Sequence, residues 1–151
     1  MALTTTPGDD CESLCSVTDA NTYHELRGNV AAWAPLETTR KEQLLRQAYD
    51  WLYGRYWARW PAGEVFGTAA GVPDIVMRGA RDACALLALY ALDGPLDPEV
   101  TPQVLEQDVG PIKTKFAQVD ANAGRQFPDV ARLMAPYLAT SNPYSIPLRR
   151  A

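Results

Sequence analysis

The residues able to do chemistry in this chain are few and poorly assembled for it. There is one histidine, His24, and there are three cysteines, Cys11, Cys15 and Cys84. Cys11 and Cys15 lie in a polar N-terminal stretch and Cys84 in an apolar run. That is neither a disulfide framework nor a zinc ligand set of recognisable spacing. An apolar setting raises a thiol's pKa, which leaves Cys84 inert. His24, alone on a short helix, reads as a packing or surface residue. No serine occupies a nucleophile-elbow pattern, and neither a phosphate loop nor a His-Glu-x-x-His motif occurs. Asp9 and Asp10 have nothing near them in sequence to hold a geometry, and Asp93, Asp97 and Glu99 punctuate a turn. The expectation is a protein with no catalytic step, no metal and no cofactor.

Two stretches suit binding instead. Arg55-Tyr56-Trp57-Ala58-Arg59-Trp60 interleaves bases with aromatics, as single-strand nucleic-acid binders do, each stacked base adding roughly 1–3 kcal/mol. Arg55, Trp57, Arg59 and Trp60 are the candidate contacts. The plainer alternative continues the inward stripe of the preceding helix through Leu52, Tyr56 and Trp60, leaving Arg55 and Arg59 in solvent. The second stretch is the C-terminal tail, TSNPYSIPLRRA. Tyr144, Ile146 and Leu148 alternate between prolines, with Arg149 and Arg150 beyond and no acid. Such a segment suits an extended chain laid along another protein.

Charge is spread unevenly. The net charge is −4 over 151 residues, with residues 1–39 at −5, 40–92 at +2, 93–129 at −4 and 130–151 at +3. An acidic body counts against generic duplex binding, which needs a phosphate-neutralising face, and a basic end can be steered to an acidic partner. A hydrophobic content of 47% is that of an ordinary soluble domain. The start, MALTTTPGDD, lacks a secretory pattern, and the longest apolar run is about half of the ~20 residues a membrane span requires. Synthesis in a reducing cytoplasm and no membrane partner are expected.

The elements that must position these groups are mainly helical. Residues 1–15 read as an extended arm. Ser16 with Asp19 resembles a capping box opening a helix through Leu26, which Arg27-Gly28-Asn29 ends. Trp33 and Leu36 anchor the connection. A second helix, capped by Thr38 or Thr39, runs to Tyr56 with Leu45, Ala48, Leu52 and Tyr56 inward. Residues 61–72 read as a glycine-rich loop. The central helix is predicted over Val72–Leu92, with Val76, Ala80, Ala83 and Leu87 on one face. Its second half is apolar all round and must be covered by its own domain or by a neighbouring subunit. A β-hairpin over 104–116 follows if Gly110-Pro111 turn it, pairing Glu106 with Lys115 and Asp108 with Lys113 on one face. The same register places Gln107 with Thr114, Leu105 with Phe116 and Val109 with Ile112. Pro128 opens a last helix carrying Val130, Leu133, Met134, Tyr137 and Leu138 inward, and Pro136 kinks it. The fold class is thus mainly α: a small bundle of about four helices over 16–139, one hairpin, and extended arms at 1–15 and 140–151.

The order of these pieces resembles a known family. Ser16–Asn29 (SVTDANTYHELRGN) with Trp33, Arg40–Tyr56 (RKEQLLRQAYDWLYGRY), Val72–Leu89 (VPDIVMRGARDACALLAL), Val109–Lys113 (VGPIK) and Phe127–Leu138 (FPDVARLMAPYL) carry the likeness. It is similar to short tailed-phage proteins often called DnaT-like single-stranded-DNA-binding proteins, which look like head-to-tail adaptors. The segment PAGEVFGTAAG, the two N-terminal cysteines and the proline-containing tail depart from the pattern. The resemblance implies a ring of about twelve subunits beneath the portal protein, in the virion neck after assembly in the host cytoplasm. The ring would extend the channel for double-stranded DNA without binding it specifically and would seat the next neck or tail protein. In that setting Tyr144, Ile146, Leu148, Arg149 and Arg150 of the tail, and Glu106, Asp108, Lys113 and Lys115 of the hairpin, are the expected portal or subunit contacts. The alternatives are a single-strand DNA-binding module built on Arg55, Trp57, Arg59 and Trp60, or another neck component such as a stopper or tail terminator.

Overall fold

The computed structural model describes residues 2–97 and 127–138, with the backbone of 104–107 and 114–116. Five α-helices and two antiparallel strand pairs make up the described chain. The first helix, α1 (Val17–Leu26), begins as its sequence demands: the Ser16 hydroxyl oxygen accepts from the Asp19 N–H at 3.1 Å and the hydroxyl donates to the Asp19 carboxylate at 2.7 Å. It ends on Gly28, whose φ of 74° suits glycine, with the Asn29 N–H donating to the His24 carbonyl at 2.9 Å. Those two features form a Schellman stop. A single turn, α2 (Val30–Trp33), then buries Trp33.

Helix α3 (Thr38–Tyr56) starts without a side-chain cap: extended Glu37, not Thr38 or Thr39, holds the cap position. Leu44, Leu45, Ala48, Trp51, Leu52 and Tyr56 are its buried apolar residues, with Lys41 buried beside them, which is the expected stripe widened by one row. The chain continues as one 3-10 turn, Trp57–Arg59.

The predicted helix over Val72–Leu92 is shorter than its pattern. Val72–Val76 is a strand, β2, paired antiparallel with β1 (Thr68–Ala69), and helix α4 occupies only Arg78–Tyr90. Three β-branched residues in five favour the pleat. Gly71 turns the pair at a φ of 73°, and the Met77 N–H donates to the Gly67 carbonyl at 2.8 Å. Pro73 stands on a strand that has a partner on one side alone, where a missing N–H is tolerated. The glycine-rich segment 61–72 therefore holds a strand and a tight turn.

Helix α4 lies at the centre, packed by α1, α3 and α5. Ala80, Ala83, Cys84, Ala85, Leu87 and Ala88 are buried and Leu86, Leu89 and Tyr90 partly so. The shelter expected for its all-apolar half thus comes from its own domain. Helix α5 (Pro128–Met134) opens on Pro128 and buries Val130 and Met134. At Pro136 the chain tightens into a 3-10 turn, Ala135–Tyr137, because a proline ring removes the donor an α-turn there would use. Helices α4 and α5 meet at Gly79: a Cβ there would stand 2.5 Å from the Tyr137 ring and 2.8 Å from the Leu133 carbonyl oxygen.

The strand pair β3 (Val104–Gln107) and β4 (Thr114–Phe116) keeps the expected Glu106–Lys115 and Gln107–Thr114 registers. Phe116 pairs with Val104 instead of Leu105, so a bulge at Leu105 absorbs one residue. The turn and the expected Asp108–Lys113 and Val109–Ile112 pairs lie outside the described residues. The N-terminal stretch, expected as an extended arm, has its end buried against the helices. Cys11, Ser13, Leu14 and Cys15 are buried, and the Ser13 hydroxyl bridges the Cys15 backbone at 2.8 and 3.1 Å and meets the Cys84 sulfur at 3.5 Å.

Candidate functional site

The groups with chemical potential sit in the core. His24 is fully buried, with Nε2 3.1 Å from the Ala85 carbonyl oxygen, so Nε2 carries the proton and donates. Its ring lies against Trp33 at 4.6 Å, and Nδ1 has no partner. Burial depresses its pKa below 6.5, outweighing the Ala85 bond, which acts the other way. Burial pushes the Cys84 thiol up to about 11 and raises Cys11 and Cys15 as well. No described cysteine is thus poised as a thiolate nucleophile. Among the described residues no group of three or more His, Cys, Asp or Glu side chains could hold a metal, and no helix is long and apolar enough to cross a membrane.

One concave feature of the described surface, lined mainly by aromatic rings, lies at the C-terminal end of α3. Tyr49, Tyr53 and Trp57 recur every four residues along one helix face, and the chain after Trp60 brings Phe66 back against them. Phe66 meets Tyr53 edge-on at 5.4 Å, Trp60 at 5.0 Å and Tyr49 at 6.2 Å, and Tyr53 meets Trp57 at 6.0 Å. Edge-to-face rings at these separations favour one another beyond their buried area. The result is a groove of about 460 Å³ with Gly8, Asp9, Cys11, Gly63, Glu64 and Val65 on its other side. Next to Phe66, a Cβ at Gly67 would fall 2.5 Å from the Leu14 side chain, so the N-terminal stretch lies against the segment carrying Phe66.

The electrostatics of this groove are one-signed. Its charged lining is Asp9 and Glu64, and Glu64 also accepts from the Gly71 N–H at 3.1 Å. Among the described residues no basic side chain lines it. Arg55 instead lies over the Trp51 ring at 5.3 Å, in a separate depression shared with Asp50 and Asp97. Arg59 is exposed. Of the four residues singled out for single-strand contact, Arg55, Trp57 and Arg59 are thus on the surface, and Trp57 is 50% exposed. Trp60 is only 5% exposed, packed on Phe66 and near Tyr137, which leaves it no free face on which a base could stack. Neither Arg55 nor Arg59 is part of the groove's lining, as expected when residues two apart on a helix point in different directions.

The remaining predicted contacts divide in the same way. Glu106 and Lys115 are paired positions of the hairpin backbone, while Asp108, Lys113, Tyr144, Ile146, Leu148, Arg149 and Arg150 lie outside the described residues. Sequence reading missed Tyr49, Tyr53 and Phe66 as site residues. The spacing of Tyr49, Tyr53 and Trp57 was the available signal, but a helical stripe of aromatics more often marks core. A second exposed apolar feature is β2, where Val72 and Ile75 face solvent, Ile75 at 58%.

Against known proteins, the family model described as "Putative DnaT-like ssDNA binding protein" matches residues 1–151. No curated protein and no solved structure matches the chain.

Proposed function

This chain belongs to the DnaT-like ssDNA-binding-protein family, and within that family we propose that it is a structural virion protein, a head-to-tail adaptor. Copies form a ring beneath the portal, extend the DNA channel and seat the next neck or tail protein. The helical body makes the ring contacts, and the hairpin and the C-terminal tail reach the portal or the adjacent subunit. No catalytic step is involved.

The observation that carries this reading is the groove itself. It is aromatic, open and lined by acids, which suits a protein segment and opposes a phosphodiester. Over the described residues, acidic side chains outnumber basic ones fourteen to nine. A conduit wall of that sign lets a duplex slide past instead of holding it. The order of segments from Ser16 to Leu138 supports the adaptor assignment through the resemblance described above. Electron microscopy of the full chain, alone and mixed with portal rings, tests it. The expected images show rings that cap the portal; particles that stay single and ignore the portal would refute it.

A second reading, a single-strand DNA-binding module, draws on the family's description and on the exposure of Arg55, Trp57 and Arg59. It would require Arg55 to leave the Trp51 ring, over which it lies at 5.3 Å.

A further inference from the structure

We infer that the aromatic groove at the end of α3 docks an extended, arginine-bearing segment of a partner protein. This rests on the reading that the groove receives protein, and it narrows that reading to the side chain the segment must bring.

Charge points there first. Among the described residues the charged lining of the groove is Asp9, which is exposed, and Glu64, which is half-buried. The Glu64 carboxylate accepts the Gly71 N–H at 3.1 Å, which fixes its position on the wall. A carboxylate next to an aromatic face attracts a cation in two ways, through the ion pair and through the negative face of the ring.

The molecule itself uses this combination elsewhere. Arg27 lies over the Tyr23 ring at 3.9 Å and stands 3.6 Å from the Asp82 carboxylate. Arg55 lies over the Trp51 ring at 5.3 Å, in the depression it shares with Asp50 and Asp97. Each guanidinium is served by one ring and by acid. The groove repeats the set, with Tyr53, Trp57 and Phe66 on the same walls as Asp9 and Glu64, and no described base supplies the cation. Arginine suits it better than lysine, because a planar guanidinium stacks on a ring and pairs with a carboxylate through two parallel hydrogen bonds.

Shape selects a chain over a lone ammonium ion. Tyr49, Tyr53 and Trp57 follow one another along α3 and the turn after it, covering about 12 Å at the rise of a helix. Tyr53 is 39% exposed and Trp57 50%. A single ammonium needs one cage, whereas a strip of rings at successive turns matches side chains spaced along an extended backbone. About four residues in a polyproline conformation cover that length. Prolines between the arginines would keep the segment extended and reduce the entropy lost on docking.

Isothermal titration calorimetry on the full chain tests this with three probes: acetyl-(Pro-Arg)3-amide, its citrulline counterpart, which keeps the shape and drops the charge, and its glutamate counterpart. The arginine peptide should bind saturably, at least about tenfold tighter than the citrulline one, and the glutamate peptide should give no heat. Glu64→Gln, which keeps an acceptor for the Gly71 N–H, and Asp9→Asn should each weaken the arginine peptide several-fold, and Trp57→Ala should weaken it most. Glu25→Gln makes the same change of charge outside the groove and should leave affinity unchanged. Of the four tryptophans Trp57 alone is substantially exposed, so its emission should shift over the same titration. Equal affinity for the arginine and citrulline peptides would overturn the proposal and leave protein docking standing. No saturable response to the arginine peptide, or a response that Glu25→Gln weakens as much as Glu64→Gln does, would overturn it too. Self-association that Trp57→Ala abolishes, with no peptide binding, would assign the groove to a second copy. An oligothymidylate that shifts Trp57 emission and displaces the peptide would sink the protein-docking reading as well.

Discussion

Helix α4 and the far end of α3 are both rich in apolar side chains, yet the fold treats them oppositely. The run from Ala83 to Ala91 is closed over by α1, α3 and α5, and its one cysteine and its alanines are buried. Tyr49, Tyr53 and Trp57, at the C-terminal end of α3, share a face that no other described helix covers, with Gly8, Asp9 and Cys11 and the loop that carries Phe66 lining the groove beside them. The difference lies in side-chain size as well as position. Small residues on α4 let three helices approach closely, whereas the large rings on α3 hold neighbours apart and leave a groove. Apolar content therefore does not by itself mark an interface; what marks one here is apolar surface that the fold leaves uncovered.

Substitutions in the two regions should separate sharply. Leu87→Ala removes a fully buried side chain of α4 and should cost about 2–5 kcal/mol in denaturant unfolding. Ile75→Ala and Trp57→Ala, on the open side, should each stay within about 0.5 kcal/mol. Comparable losses at Leu87 and Trp57 would erase the distinction. The glycines sharpen it at smaller scale. Gly79→Ala must displace the Tyr137 ring or the Leu133 backbone and should cost about 1–3 kcal/mol. Gly54→Ala, in the interior of α3 with nothing within 4 Å of the added carbon, should stabilise the chain by up to about 1 kcal/mol.

The smallest effect concerns pH and belongs to the closed region. Burial lowers the His24 pKa below its ordinary 6.5, so as pH falls the unfolded chain takes up the proton first. The stability that neutral His24 supports is complete above 6.5 and declines as pH drops from there toward the lower folded pKa. Unfolding midpoints measured between pH 7.5 and 5.5 should fall for the native chain and change less for His24→Gln. Equal slopes would show that the ring is not held neutral.

Much of the closed region was legible in the sequence. The capping box at Ser16, the stop at Gly28, the inward stripe of α3 and the proline-opened α5 each follow from local rules that act over one helical turn. Two misreadings share one cause. The apolar spacing of Val76 and Ala80 fits a helix, but pairing of Val72–Val76 with Thr68–Ala69 overrides it, and such pairing is a tertiary fact that helix periodicity does not report. In the same way nothing local announces that Leu14 and Cys15 dock on the core. The groove was half legible: Tyr49, Tyr53 and Trp57 stand at helical spacing, but only the fold decides that their stripe is left open and that Phe66 returns to it. The bulge at Leu105 follows neither from charge nor from apolar pairing, and the described structure offers no physical account of it.

The central claim is that the open aromatic face receives protein and not phosphate. A fluorescence-anisotropy titration of the full chain against a labelled single-stranded oligonucleotide at low and moderate salt tests it most directly. A flat response at both salts, unchanged by Arg55→Ala and Arg59→Ala, is the expected result. Saturable binding whose affinity falls steeply with salt, by the slope that several released counterions impose, and which disappears with Trp57→Ala, would contradict it.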